Sequence, residues 1–437
     1  MLKKINVGLL VFVLSAVSGF GQDESLKALL ETALQNNYGI RLARVNQEMA
    51  ENQNTWGNAG FAPRVFMEGD YQQSIRESEQ EFVSGGTQEV SGGKSDNLGA
   101  SVGVEWTVFD GFKMFAERDK LQSEALRSKT NTRYYVEQTV QDLALVYYQL
   151  MQGREMMKEL RLAYEISQKR YQLEQRRSEV GSGSALELYR AEINLNADSM
   201  QLVKYKAELR NFELEINRLI GTDLQNEIET GNDFNTRPGL DTEAMFEEVL
   251  TKNSDLSLAQ LQQLIEEQNV KSQRGNLMPQ VMLFGSYNFN RSTSDFGFLL
   301  NNRQFGPQFG VNLRFNLYDG GRERTAMQNA KLQAESAQIS LEEKKNEISA
   351  AFFTAKENFV SAKQQLALSR QSAQQAEKLQ KIALEQYKNG VITSLEFRQV
   401  QLEVLQAKLQ VIESEYALKQ NEVMLYRLSG SILDRLL

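Results

Sequence analysis

The chain has 437 residues, 49 Lys and Arg against 57 Asp and Glu, a formal charge of −8, four prolines, no histidine and no cysteine. Those zeros exclude disulfides, thiolate chemistry, His/Cys zinc sites and a Ser-His-Asp triad, and the acidic balance argues against a nucleic-acid partner. So few prolines leave room for very long helices. At the amino terminus, Lys3 and Lys4 precede an apolar run over residues 7–20, and Gly19 and Gly21 supply a small-x-small cleavage pattern. This reads as a cleavable export signal over residues 1–21. The run is shorter than the ~20 residues a spanning helix needs, and no cysteine follows it to carry a lipid.

Beyond the signal the sequence repeats itself. Phe109-Asp110-Gly111 recurs as Tyr318-Asp319-Gly320, Gly181 with Leu186-Glu187-Leu188 as Gly390 with Leu395-Glu396-Phe397, and Gly221 as Gly430, each at an offset of 209. Asn37, Pro63, Gly69 and Tyr71 recur as Asn253, Pro279, Gly285 and Tyr287 at an offset of 216. One spacing kept across distant landmarks predicts two structurally similar halves. The expected division is a first repeat over 22–220, an inter-repeat segment over 221–242, a second repeat over 243–430 and a tail over 431–437.

Each half opens with two candidate membrane strands, at 63–72 and 98–109 and again at 279–290 and 307–318. In the second of these, Leu98, Ala100, Val102, Val104, Trp106 and Val108 alternate with Gly99, Ser101, Gly103, Glu105 and Thr107. Period two over about 11 residues fits a tilted transmembrane strand. Its repeat mate alternates likewise from Phe309 to Leu317, while Phe66, Met282 and Phe284 blur the pattern in the preceding strands. Trp106, Tyr71, Tyr287, Phe315 and Tyr318 are expected at strand ends, and the polar stretches 72–97 and 290–306 read as loops. Four strands cannot close a membrane barrel, since the smallest have about 8, so the chain is expected to oligomerise.

The remainder reads as helix, over 111–178, 185–220, 320–388 and 394–428, rich in Gln, Glu, Lys, Arg, Ala and Leu. Leu186, Ile193, Met200, Ala207 and Leu214 are seven apart, as are Leu395, Leu402, Leu409, Tyr416 and Val423, the spacing of a coiled-coil seam. Asp110-Gly111 and Asp319-Gly320 read as turn or N-cap signals where strand passes into helix. The tips Gly181-Ser182-Gly183-Ser184 and Gly390-Val391-Ile392-Thr393 predict tight helical hairpins. Ser184 with Glu187, and Thr393 with Glu396, have the spacing of a capping box.

Taken in order, these parts resemble the TolC-like outer-membrane efflux protein family, the outer membrane factors, over roughly residues 24–430. The resemblance implies a mainly α fold with membrane β: a homotrimer whose 12-stranded barrel in the Gram-negative outer membrane is continued by a periplasmic α-helical barrel. It implies an equatorial belt holding 221–242 and 431–437, no cofactor, and a tip that docks on a periplasmic adaptor and a proton-driven or ATP-driven inner-membrane pump. The tips are then the expected adaptor-docking surface. The family's gate pattern, an aromatic three before the tip Gly and an acid six after it, is met by Tyr387, Gly390 and Glu396. In the first half Gly181 and Glu187 match, with Ser178 in the aromatic place. Some members lock the gate with an Arg two after the Gly and an acid nine after it; Ile392 and Gln399 stand there. Arg190 with Glu187, and Arg398 with Glu396, are the candidate replacement pairs.

The functional expectation is an export duct that conducts small molecules or polypeptides passively. The alternatives are a non-conducting periplasmic coiled-coil scaffold or adhesin, which has no use for lipid-facing strands, and an enzyme. The enzyme lacks a His or Cys, a phosphate-binding loop and carboxylates at metal spacing.

Overall fold

The computed structural model describes residues 24–295 and 299–437 except 232, 233, 235, 237 and 238. The export signal and Pro238 lie outside the described residues. The elements in chain order are α1 (Glu24–Asn36), α2 (Tyr38–Gln53), β1 (Arg64–Phe82), β2 (Gly86–Phe109), α3 (Lys113–Glu179), α4 (Ala185–Ile220), α5 (Thr242–Lys252), α6 (Ser254–Gly275), β3 (Gln280–Ser294), β4 (Asn301–Arg314), α7 (Arg322–Lys388), α8 (Ser394–Leu428) and α9 (Ile432–Leu436). Among the described residues no helix is long and apolar enough to cross a membrane. The chain forms two compact units, and each takes segments from both halves of the sequence.

The first unit, Leu42–Arg133 with Ser254–Asn346, holds an antiparallel sheet in the order β1-β2-β3-β4. Its register aligns the apolar positions in rows. Val65, Val104, Gly285 and Phe309 form one row; Met67, Val102, Tyr287 and Pro307 form the next. Val65, Met67, Val102, Val104, Phe309 and Val311 are all exposed, so this face finds no cover within the chain. The opposite face carries Glu68, Asp70, Ser101, Glu105, Asn288 and Gln308, as alternation requires.

Two of the three residues that blur the alternation, Phe66 and Phe284, have a local reason. Phe66 lies directly opposite Gly103, and Phe284 opposite Gly310. A Cβ on Gly103 would stand 2.6 Å from the Phe66 ring, and one on Gly310 2.7 Å from the Phe284 ring. Each ring lies over a residue with no side chain, which lets an aromatic occupy the polar face.

The strands run longer than alternation suggests at one end and shorter at the other. Residues 72–97, read as a loop, are mostly strand closed by a turn at Val83, Ser84 and Gly85, where Gly85 has φ 77°. Backbone pairing needs no apolar side chain, so hydropathy misses this stretch. β3 and β4 likewise continue to Ser294 and from Asn301. β4 ends at Arg314 rather than 318, because its partner Gln280 follows Pro279, which has no N–H to give. Phe315 and Tyr318 thus lie beyond the strand, and Tyr287 lies mid-strand. Tyr71 is likewise internal to β1, whereas Trp106 stands near the helix-proximal end of β2 as expected and donates to Phe61 O at 2.9 Å. Trp56, Phe61, Phe109, Phe112 and Phe115 gather at that end, joined edge to face or tilted at 4.8–6.1 Å.

The junction aspartates cap the long helices. Asp110 accepts from Met114 N–H at 2.9 Å, and Asp319 from Glu323 N–H and Gly321 N–H, both at 2.9 Å. Those donors hold the Asp319 carboxyl below the usual aspartate range. α3 and α7 then run 67 residues each, about 100 Å at 1.5 Å per residue. Gly111 is needed for space: with φ 72°, a Cβ there would meet Gly275 O at 2.4 Å.

The second unit, Met1–Arg41, Tyr134–Asn253 and Glu347–Leu437, is helical in its described part. Leu143, Tyr147, Leu150, Ile216, Val423 and Leu425 are fully buried in its core. Charges lie there too: Arg427 pairs with Glu137 at 3.0 Å and sits over the Tyr134 ring, and Lys419 pairs with Glu422 at 3.3 Å. The four short helices α1, α2, α5 and α6, which the sequence reading leaves unassigned, explain the repeated landmarks. Asn37 donates to Leu219 O at 2.8 Å and Asn253 to Leu428 O at 2.9 Å, so the break in each helix pair caps a returning helix. Gly221 and Gly430 turn those ends at φ 67° and 68°, where a Cβ would strike Asn36 O or Lys252 O. The tail over 431–437 carries the short helix α9, with Ile432 buried.

The heptads do not all form a seam within one chain. Leu186, Ile193 and Met200 are 57%, 67% and 67% exposed, whereas Val423 is buried.

Gly103→Val and Gly310→Val each drive a side chain into a ring and are expected to cost about 1–3 kcal/mol, read as loss of heat-resistant folded protein in detergent; Gly69→Val, with 3.8 Å of clearance, serves as the control. Asn253→Ala removes the side-chain donor to the half-buried Leu428 carbonyl and is expected to destabilise by about 1 kcal/mol, measured as a lowered Tm by circular dichroism.

Candidate functional site

The ends of the α3–α4 and α7–α8 hairpins gather the predicted site residues, all within the helical unit. Both turns use the same backbone device. Gly181 and Gly390 adopt φ 73°, Ser182 N–H donates to Arg177 O at 2.9 Å, and Val391 N–H donates to Gln386 O at 2.8 Å. These six-to-one bonds over a left-handed glycine satisfy the last carbonyls of each outgoing helix. The tip surface is exposed at Gly181, Ser182, Ser184, Gly390, Val391 and Thr393, with Gly183 and Ile392 half-buried.

The second tip forms the expected capping box. Glu396 N–H donates to Thr393 Oγ1 at 3.2 Å, and Thr393 N–H donates to Glu396 Oε2 at 2.7 Å. The Thr393 backbone donor and hydroxyl hold the Glu396 carboxyl below the usual glutamate range. Glu396 therefore stabilises the cap above that range, and the contribution fades as pH falls through its lowered pKa.

The first tip does not form the expected box. Ser184 makes no side-chain cap bond. Its Glu187 is drawn away by two arginines, Arg190 at 2.9 Å and Arg170 at 3.8 Å. The proposed Glu187–Arg190 pair is thus present.

The proposed Glu396–Arg398 pair is not among the contacts at this tip. Glu396 is held by its own cap, and Arg398 turns inward. Its guanidinium donates to both carboxylate oxygens of Asp198, at 2.8 and 3.1 Å, and to Ser167 Oγ at 3.0 Å. Ser167 also hydrogen-bonds Asp198. Arg398 and Asp198 side chains are each 11% exposed. Beside them Arg170 donates to Ser394 Oγ, and burial lowers the Arg170 pKa. The Tyr387 ring stacks on Phe397 at 4.8 Å and 7°. Gln399 instead donates to Glu403 at 3.0 Å on the outer face.

One buried polar cluster thus ties α3 (Ser167, Arg170), α4 (Asp198, Glu187) and α8 (Ser394, Arg398) together, with α7 clamped by the aromatic stack. Several of its donors are unused: Arg398 Nε, two nitrogens of Arg170 and the Tyr387 hydroxyl are buried without a partner. Such a cluster holds the two hairpins side by side. Sequence reasoning finds Arg398 and misses Asp198, Ser167, Arg170 and Ser394. The repeat hides the pair: at the same offset Asp198 becomes Ala407, and Arg398 becomes Tyr189. A lone Asp beside the α4 heptad positions was the available signal.

The profile of the family described as outer membrane efflux protein matches residues 29–222 and 245–431. The chain is 21% identical over 419 residues to the probable efflux pump outer membrane protein TtgC of Pseudomonas putida and, to the same extent, to the antibiotic efflux pump outer membrane protein ArpC of Pseudomonas putida. Each alignment covers 94% of this chain and 84% of the relative. Among solved structures it is similar to the outer membrane protein VceC of Vibrio cholerae, with a TM-score of 0.77, 15% identity and coverage of 93% and 96%. It is likewise similar to the CmeC outer membrane channel of Campylobacter jejuni, with a TM-score of 0.77, 18% identity and coverage of 94% and 86%.

Asp198→Asn and Arg398→Ala each leave a buried partner uncompensated, at a cost of about 3–5 kcal/mol. The expected result is faster amide exchange across both tips with the sheet unaffected, measured by hydrogen–deuterium exchange. The exposed control Glu385→Gln should leave the pattern unchanged.

Proposed function

The chain belongs to the outer membrane efflux protein family, and we propose that three copies form the outer-membrane exit duct of a tripartite efflux or type I secretion system. The family is one of transport ducts rather than of enzymes. The observation that carries the reading is the four-stranded sheet, apolar on one face and polar on the other, with β1 and β4 paired on one side only. In lipid each unpaired backbone group costs several kcal/mol, so the edges require partners. Two copies would supply about 8 strands, whose interior is filled by side chains; three supply about 12 and leave an aqueous passage.

The helical part supports the same stoichiometry in kind. The exposed α4 heptad positions Leu186, Ile193 and Met200 are an apolar stripe that the single chain leaves uncovered, and a neighbouring copy covers it. The helices then lie in the periplasm, reached through a cleaved export signal without lipid attachment, and the strands contact outer-membrane lipid.

In this reading the tips are where the duct meets a periplasmic adaptor, and beyond it a proton-driven or ATP-driven inner-membrane pump. Energy enters there, because the chain's own chemistry offers only opening, closing and conduction. In this reading the Arg398–Asp198 clamp, which holds the two hairpins of one chain together, is part of the gate, and Glu187, Arg190, Tyr387 and Gln399 flank it.

The test is direct. Wild-type protein in detergent is expected to migrate as a heat-modifiable trimer and to form single channels in planar bilayers. Ile193→Lys combined with Met200→Lys is expected to abolish the trimer while retaining a helical circular dichroism spectrum. A monomeric, non-conducting wild type would overturn the proposal.

A further inference from the structure

From a cross-strand pair of arginines at the far end of the sheet, we propose that the protein binds phosphorylated lipid headgroups of the outer leaflet. This rests on the membrane reading above.

The apolar face has measurable height. Its rows run from Phe109, Val281 and Leu313 beside the helices to Tyr71, Leu98, Arg291 and Arg303 at the far end. From Val281 to Arg291 is about 34 Å along the strand at 3.4 Å per residue. Tilted at about 40–45°, that is about 25 Å of height, the thickness of the apolar band of an outer-membrane barrel. The chain enters and leaves the sheet through helices at the near end, so the far end faces the outer leaflet. The two arginines therefore stand at headgroup level, one row beyond Phe289 and Phe305.

Their arrangement is costly without an anion. Arg291 and Arg303 are direct cross-strand partners, with about 5 Å between Cβ atoms, where like charges repel. Neither forms an ion pair among the described residues. Asp96, on the same face, accepts a hydrogen bond from the Tyr71 hydroxyl at 2.9 Å instead. A neighbouring copy's β1 edge would present Val65, Met67, Gly69, Tyr71, Gln73 and Ile75 on this face, none of them acidic; the next acid along that edge is Glu77, at the bulge between Arg76 and Ser78.

Arg303 is also preorganised. Its guanidinium lies over the Phe289 ring at 5.3 Å and the Phe305 ring at 5.7 Å. Both arginines are exposed, and so is Lys94, further out on the same face. Two adjacent planar guanidinium forks, that of Arg303 held on an aromatic ledge, suit a phosphate monoester, which accepts bidentate donation from each. A free phosphate ion would gain the charge but not the ledge, so a phosphate tethered to acyl chains is the better occupant.

The experiment uses the full-length trimer in phosphatidylcholine vesicles doped with diphosphoryl lipid A or with its dephosphorylated form. Lipid retained per trimer is read by native mass spectrometry, and insertion is verified by single-channel conductance. Wild type is expected to retain the phosphorylated lipid about tenfold better, an excess lost in Arg291→Gln/Arg303→Gln and not displaced by inorganic phosphate. Equal retention of both lipids by a conducting wild type, an unchanged preference in the double variant, or displacement by inorganic phosphate would overturn the proposal while leaving the duct reading intact. A wild type that neither inserts nor conducts would sink both. Should the double variant fail to insert, the two-lipid comparison on wild type decides alone.

Discussion

The interaction on which the rest depends is one the single chain does not make: backbone pairing along the outer edges of β1 and β4. A sheet in water tolerates open edges, because solvent satisfies the free N–H and C=O groups. The same sheet with one face turned to hydrocarbon does not. Closure therefore sets the copy number, and the copy number leaves each chain with helices whose apolar stripes also look outward. The exposed Ile193 and Met200 follow from the same incompleteness as the exposed Val65 and Phe309.

Duplication supplies the parts, and the two halves differ behind the tips. The two halves agree wherever the job is to turn or end a helix. Asn37 and Asn253 hold returning helices, Gly221 and Gly430 bend away from them, and Gly181 and Gly390 turn the tips. The halves part company in the chemistry behind the tips. Thr393 and Glu396 cap each other, whereas Glu187 is taken by Arg170 and Arg190. Arg398 reaches across to Asp198, whose counterpart in the other half is an alanine. A clamp built from unlike residues joins hairpins that differ in sequence, which two identical halves could not do with one pair.

Much of this was legible in the residues. Long stretches without proline gave α3, α4, α7 and α8 nearly to their ends, and strict alternation located the middle of each strand. What escaped did so for identifiable reasons. The far hairpin of β1 and β2 is largely polar on both faces, with only scattered apolar residues such as Ile75 and Val90, so hydropathy cannot distinguish it from a loop. Phe66 and Phe284 look misplaced until the register sets a glycine opposite each. The Asp198–Arg398 pair joins positions 200 residues apart without a repeat relation. The helices α1, α2, α5 and α6 entered only as landmarks, although α1 carries Leu26, Leu29, Leu30, Ala33 and Leu34 at helical spacing.

The ordered hairpin beyond Tyr71 also limits how this surface can diverge. In a coil, residues are gained or lost one at a time. Here Ser74 faces Ser95 and Glu79 faces Glu89, so a single insertion in either strand reverses every side chain beyond it unless a bulge absorbs the extra residue, as one already does between Arg76 and Ser78. Length variation is thus channelled to the three-residue turn at Val83, Ser84 and Gly85. An epitope spliced there lengthens a turn, whereas the same epitope at Glu79 divides a ladder.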